Sequence, residues 1–110
     1  MNALLNSFEI TVDDLYRRFE RGELLTILDV RQEWEVKKAS LQNTICMPLD
    51  QLSLNFSFLP QEYPIIVLCH HGIRSLRAAT FLRDQGYQAF SLQGGIDAWA
   101  EKIDLTVPRY

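Results

Sequence analysis

Short apolar runs alternate with segments whose apolar residues recur at helical spacing. Thr11 followed three residues later by Asp14 has the form of a capping box, and Leu15, Phe19 and a stop at Gly22 predict a helix from about Val12 to Arg21. Leu24–Val30 is a bounded apolar run and reads as a buried strand. Glu33–Lys38 reads as a short helix, Thr44–Met47 as a second strand ended by Pro48, and Leu49–Leu54 as a further helical turn. Tyr63-Pro64 opens Ile65-Ile66-Val67-Leu68, a continuous β-rich run of the kind found in strands covered on both faces. Ser75–Gln85 carries Leu76, Ala79 and Leu82 at helical spacing and closes at Gly86. Gln88–Leu92 reads as the last strand, Gly94-Gly95 as a turn, and Ile96, Trp99, Ala100 and Ile103 as the apolar face of a final helix. This alternation predicts a three-layer α/β/α domain with a mostly parallel sheet, a single domain over residues 1–110.

At 110 residues the chain is long enough for one modest core and one active site. Eleven Lys and Arg against fourteen Asp and Glu give a net charge of −3 with no basic run, which leaves no electrostatic footprint for nucleic acid. No apolar stretch approaches the roughly 20 residues that cross a bilayer, and MNALLNSFEI lacks the basic and apolar regions of a signal peptide, so the expectation is a cytoplasmic protein without a membrane partner. Two cysteines, Cys46 and Cys69, are too few for a disulfide scaffold and are expected to be free thiols in a reducing compartment.

In parallel sheets ligands bind beyond the carboxyl ends of the strands. Two segments fall there. Asp29-Val30-Arg31 ends the first long strand, and Cys69-His70-His71-Gly72-Ile73-Arg74-Ser75 runs from the most buried strand into a helix. A thiol at Cys69 faces the amides of a tight loop and the positive end of a helix beginning near Ser75, and Arg74 adds a fixed charge. These features favour an anion and are expected to lower the thiol pKa and to stabilise a thiolate or an attached persulfide. Gly72 lets the backbone turn its amides toward the sulfur. Arg74 either holds a substrate or pairs with a carboxylate such as Asp29, while Asp29 and Arg31 are expected to pin the crevice wall. His70 and His71 can polarise a substrate. Three consecutive residues rarely converge on one ion and no further Cys/His pair follows, so no metal site is expected at Cys69-His70-His71, and no cofactor is called for. Trp34 and Trp99 read as packing residues and Gly94 and Gly95 as turn residues.

Asp29-Val30-Arg31 followed by Glu35, the CHHGIRS segment from Cys69 to Ser75 and LQGGIDAW from Leu92 to Trp99, taken in order, resemble the signatures of single-domain rhodaneses, the sulfurtransferase family. The segment Val107-Pro108-Arg109-Tyr110 is similar to the tail of rhodanese domains fused to sulfur-activating enzymes of cofactor biosynthesis. The resemblance implies a five-stranded parallel sheet, with the strand that ends at Cys69 lying between those that end at Asp29 and Leu92. It also implies catalysis by Cys69, which takes a sulfane sulfur from thiosulfate or a persulfide donor and passes it to a thiol or cyanide acceptor. A cysteine desulfurase or a sulfur-acceptor protein is then a natural partner. Where the family usually has Gly-His-Ile this chain has Ala39-Ser40-Leu41, a departure that bears on local geometry. The family places small or aliphatic residues near Cys46, which makes Cys46 a core filler. Two other functions compete: a persulfide carrier within a sulfur relay, and a phosphatase or arsenate reductase. The last is disfavoured because four residues separate Cys69 from Arg74, whereas cysteine phosphatases have five and so a wider cradle.

Overall fold

The computed structural model describes residues 8–110; residues 1–7, on which most of the reading of the N-terminus as leaderless rests, lie outside the described part. Thr11 Oγ1 accepts the Asp14 N–H at 3.1 Å and starts α1 (Val12–Glu20). Asp13 and Asp14 in its first turn and Arg17 and Arg18 in its last place opposite charges on the two ends of the helix dipole. The remaining helices are α2 (Glu33–Lys38), α3 (Leu49–Asn55) with a following 3-10 turn at Phe56–Phe58, α4 (Ile73–Asp84) and α5 (Gly95–Lys102).

Among the described residues five strands make one sheet: β1 (Glu9–Ile10), β2 (Thr26–Asp29), β3 (Thr44–Cys46), β4 (Ile65–Leu68) and β5 (Ala89–Leu92). They pair in parallel in the order β1-β5-β4-β2-β3, with β4 in the middle. The central strand therefore lies between β2 and β5, as the resemblance implies. β1 leaves no mark in the hydrophobic pattern, because two residues cannot display a period. It is tied to β5 by the Ser91 N–H to the Phe8 carbonyl at 2.7 Å and the Gln93 N–H to the Ile10 carbonyl at 2.8 Å.

Side chains of a strand alternate between faces, and the two cores follow that alternation. Leu28, Ile65 and Val67 pack with Leu52, Ala79 and Leu82 under α3 and α4. Ile27, Ile66 and Leu68 pack with Leu15, Ile96 and Trp99 under α1 and α5. Each large aliphatic side chain taken fully out of water contributes on the order of 1.5–3 kcal/mol, so the continuous apolar run of β4 anchors both layers. Cys69 extends the row Ile65, Val67 and joins the α3/α4 core, which places its sulfur beneath the start of α4.

Several ends shift by one or two residues, β2 for instance running Thr26–Asp29 where Leu24–Val30 is expected, and two helix starts differ for a reason visible in the backbone. α4 begins at Ile73 and not near Ser75, because Gly72 at φ +106° reverses the chain at once and serves as the N-cap. Ser75, whose type suggests a cap, is instead in the first turn. α5 begins at Gly95, so the Gly94-Gly95 pair is a turn and a helix start together. The Ala39-Ser40-Leu41 departure proves harmless to the backbone. Ala39 is extended (φ −161°, ψ 137°), a conformation that needs no glycine, and its carbonyl accepts Arg31 Nη2 at 2.7 Å. No helix among the described residues is long and apolar enough to cross a membrane.

Candidate functional site

The loop from Cys69 to Gly72 leaves the carboxyl end of β4, the central strand, and enters α4. The left-handed turn at Gly72 folds the loop back so that its own N–H reaches the Cys69 Sγ at 3.0 Å. The Ser75 N–H, one of the free donors of the first helical turn, reaches the same sulfur at 3.3 Å. Cys69 Sγ also lies 3.3 Å from Ser75 Oγ, which in turn lies 2.7 Å from Ser91 Oγ on β5. The sulfur thus accepts from two backbone donors and its thiol donates to Ser75 Oγ, which Ser91 Oγ backs, and Cys69 is 1% exposed. This arrangement is suited to a sulfur that carries negative charge, because the donors are already aimed at it.

A second helix closes the loop from behind. The Ile96 N–H donates to the Cys69 carbonyl at 2.9 Å and the Asp97 N–H to the His70 carbonyl at 3.1 Å. Gly95 makes the approach possible: at φ +63° a side chain there is strained, and its Cβ would collide with the carbonyls of Cys69 and His70. Gly95 therefore does more than serve a turn.

Arg74 pairs with a carboxylate, as one of the two expectations has it, but the carboxylate is Glu35 and not the example given there, Asp29. Its Nη1 and Nη2 meet Glu35 Oε1 and Oε2 at 2.6 and 2.9 Å. The same carboxylate accepts the Gln32 N–H at 3.1 Å and the Tyr110 hydroxyl at 2.8 Å. The Arg74 ion pair, followed by the Tyr110 and Gln32 hydrogen bonds, outweighs burial and holds the Glu35 carboxyl at about 2. Glu35 in return raises the Arg74 pKa.

Asp29 and Arg31 form a closed pair, each 0% exposed. Arg31 Nη2 meets Asp29 Oδ2 at 2.7 Å and Arg31 Nε meets Oδ1 at 3.0 Å. Its remaining donors go to the carbonyls of Glu35 and Ala39 and, through Nη1 at 2.9 Å, to the Tyr110 hydroxyl. Every direction of this guanidinium faces protein, so it braces the wall of the crevice.

The histidines stack. The His70 ring lies between His71 (centroids 3.8 Å apart, planes at 23°) and Tyr110 (3.9 Å, 8°). Burial, and next the neighbouring His71, lowers the His70 pKa and so disfavours protonation of that imidazole. Its Nε2 is buried and has no hydrogen-bond partner among the described residues. His70, His71 and Asp97 bring one candidate ligand atom each within 4.8 Å of one another, but Asp97 is already bound by Arg109 through two N–H···O contacts of 2.9 and 3.0 Å. Ile73 is 71% exposed and borders an open groove of about 780 Å³ that runs along α4 past His71, Leu76 and Gln93.

Of the residues singled out from sequence, Cys69, Gly72 and Ser75 meet at the sulfur, Arg74 stands at the loop's edge, His70 and His71 form the stack, and Asp29 and Arg31 lie behind. Cys46 is exposed on the edge strand β3 and is no core filler: the strand has a neighbour on one side only, and the side chain falls on its uncovered part. Trp99 is buried, whereas Trp34 is mostly exposed and meets the Tyr110 ring edge-on. Glu35, Ser91, Asp97 and Tyr110 join the site without standing out in the sequence as site residues. Glu35 carries a signal in its place four residues after Arg31, and Asp97 and Tyr110 fall within the LQGGIDAW and Val107–Tyr110 segments of the resemblance without a role being read for them there.

The chain is similar to known proteins over most of its length. Residues 11–102 match the model of the Rhodanese-like domain. A thiosulfate sulfurtransferase GlpE of Haemophilus influenzae is 34% identical over 103 residues, covering 89% of this chain and 95% of that protein. A sulfurtransferase of Allochromatium vinosum is 29% identical over 93 residues, covering 84% and 87% of the two chains. The crystal structure of a rhodanese-related protein from Thermoplasma volcanium superposes with a TM-score of 0.80 at 33% identity, covering 86% of this chain and 92% of that one. A family model that spans all five helices and every strand but β1, together with relatives named as sulfurtransferases, makes this chain a member of the rhodanese-like domain family.

Proposed function

We propose that the protein is a sulfurtransferase in which Cys69 carries the sulfur. The observation that carries this reading is the Cys69 sulfur beneath two inward-facing amides, from Gly72 at 3.0 Å and Ser75 at 3.3 Å, in a loop of only four residues between Cys69 and Arg74. Such a loop fits a sulfur atom bonded to the cysteine and crowds a tetrahedral oxyanion.

In the first half-reaction the Cys69 thiolate attacks the outer sulfur of thiosulfate. The sulfur–sulfur bond of thiosulfate breaks, sulfite leaves with the electron pair, and Cys69 becomes a persulfide. In the second, a nucleophile such as cyanide or a thiolate attacks the outer sulfur of the persulfide, and Cys69 leaves as the thiolate. No net oxidation of the protein occurs. The loop amides stabilise the charge on the sulfur in both halves, as fixed donors do when they are aimed before the reaction begins. A persulfide donor enters the same cycle with a thiolate in place of sulfite as the leaving group.

Intact-mass measurement after incubation with thiosulfate tests the reading. Wild type and Cys46→Ser should each gain one sulfur atom that cyanide removes, and Cys69→Ser should gain none. Hydrolysis of an aryl phosphate by wild type without any gain of sulfur would overturn the proposal in favour of a phosphatase.

A further inference from the structure

Segment 107–110 lies across the site from two sides, outside the residues that hold the sulfur. Arg109 grips Asp97 on α5, and Tyr110 reaches the opposite wall. The Tyr110 hydroxyl sits between two charged groups with its polarity resolved: it accepts from Arg31 Nη1 at 2.9 Å and donates to Glu35 Oε2 at 2.8 Å. Oε2 is also the oxygen that receives Arg74 Nη2. The chain Asp29, Arg31, Tyr110, Glu35, Arg74 is therefore continuous, anchored at one end in a pair sealed from water and open at the other.

Arg74 is the open end. A guanidinium carries five N–H donors, and Glu35 engages one on each terminal nitrogen. The side chain is about one-third exposed, so its remaining donors face the solvent beside the loop. We infer that Tyr110 is a positioning residue: acting through Glu35, its hydroxyl fixes the guanidinium of Arg74 where an anionic sulfur donor arrives, while its ring backs His70. The inference rests on the sulfur-transfer reading and adds the source of its preference for an anionic donor.

Burial, and then the hydrogen bond to Glu35, raises the Tyr110 pKa against the lowering effect of Arg31, so the hydroxyl keeps the proton it donates through the neutral range. The groups facing Glu35 are Arg74 on α4, Tyr110 on segment 107–110, His70 in the loop and the Gln32 amide on its own helix. Only Tyr110 can be stripped of its contact by removing one oxygen.

The two half-reactions separate positioning from general damage. Loading uses thiosulfate, a dianion; discharge of the loaded protein by an uncharged phosphine, which leaves as the phosphine sulfide while Cys69 is released as the thiolate, brings no anionic substrate to the loop. Tyr110→Phe keeps the ring stack and should need about tenfold more thiosulfate for half-maximal loading, with phosphine discharge within about twofold of wild type. Arg74→Lys should show the same split, and the double variant should be little worse than Arg74→Lys alone, since both changes act through one contact. Independently of activity, the Glu35 carboxyl followed by carbon NMR should titrate at higher pH in Tyr110→Phe. Equal slowing of both half-reactions, or a Glu35 midpoint that does not move, overturns the positioning role. A wild type that never gains sulfur overturns the sulfur-transfer reading, and this is distinct from a wild type and a Tyr110→Phe protein that load identically.

Discussion

Glu35 is the residue on which most of the site's electrostatics converge, for its carboxylate accepts four hydrogen bonds from Arg74, Tyr110 and Gln32. Its pKa falls from an ordinary 4.5 to about 2, chiefly through Arg74, so the folded chain holds this proton less tightly than the unfolded chain does. The stabilisation is complete above 4.5 and fades as the pH falls toward 2. At about 1.4 kcal/mol per pH unit, and discounted for the partial exposure of Arg74, it amounts to roughly 2–3 kcal/mol. Glu35→Gln keeps the shape and removes the charge, so it should cost about that much in urea denaturation at pH 7, with a gap that narrows between pH 4 and pH 2.5. A gap that stays constant with pH would mean that packing, and not charge, holds the residue. Arg31 behaves differently. With every donor directed into protein it cannot be spared for a substrate, and its pairing with Asp29 is structural in the plain sense that removing either partner strands a buried charge.

At the scale of elements, the loop keeps its shape because two helices start against it. The N-cap and first turn of α4 supply the amides that face the sulfur, and α5 supplies the amides that hold the loop's carbonyls. Gly95→Ala should therefore do more than add backbone strain. It pushes α5 away from Cys69 and His70, and it should cost about 2 kcal/mol or more while sharply slowing sulfur loading. Gly22 has a similar φ, +73°, but a Cβ added there would meet nothing within 4 Å, so Gly22→Ala should cost only about 1 kcal/mol and leave loading intact. Equal effects of the two substitutions on melting and on loading would refute the clamp. The hydrophobic pattern makes the elements around the loop readable: the α2 boundaries, the β4 run and the order of helices and strands all agree with it. It fails where a tertiary contact decides. The start of α4 depends on a backbone reversal at Gly72, and the start of α5 on a close approach that only a neighbouring loop reveals. Likewise CHHGIRS shows that a cysteine heads a helix, but the partner of Arg74 lies 39 positions away in sequence and Tyr110 lies 75 positions from Glu35.

For the whole molecule, the strand order concentrates stability at the centre. β4 is paired on both sides and covered on both faces, whereas β1 contributes two residues paired only to β5. Local opening is easiest where few contacts must be broken, so amides of β4 should exchange with deuterium orders of magnitude more slowly than those of β1. Uniform exchange across the sheet would show instead that only global unfolding exposes it.

The pairing of β1 with β5 also sets an order of events during synthesis. Residues 9 and 10 are made first among the strands, yet their partners at Ser91 and Leu92 emerge some eighty residues later. At synthesis rates of about 5–20 residues per second, the β2–β4 region has seconds in which to assemble before β1 can join it. Over that interval Cys69 already ends its strand, but the amides of Ile96 and Asp97 and the Tyr110 hydroxyl have yet to be made. On the proposed reading, the full setting of Cys69 is thus completed late and nearly at once, when the residues from 95 to 110 close over the β2–β4 region. A nascent chain stalled before that point carries a thiol with neither its rear clamp nor its outer wall.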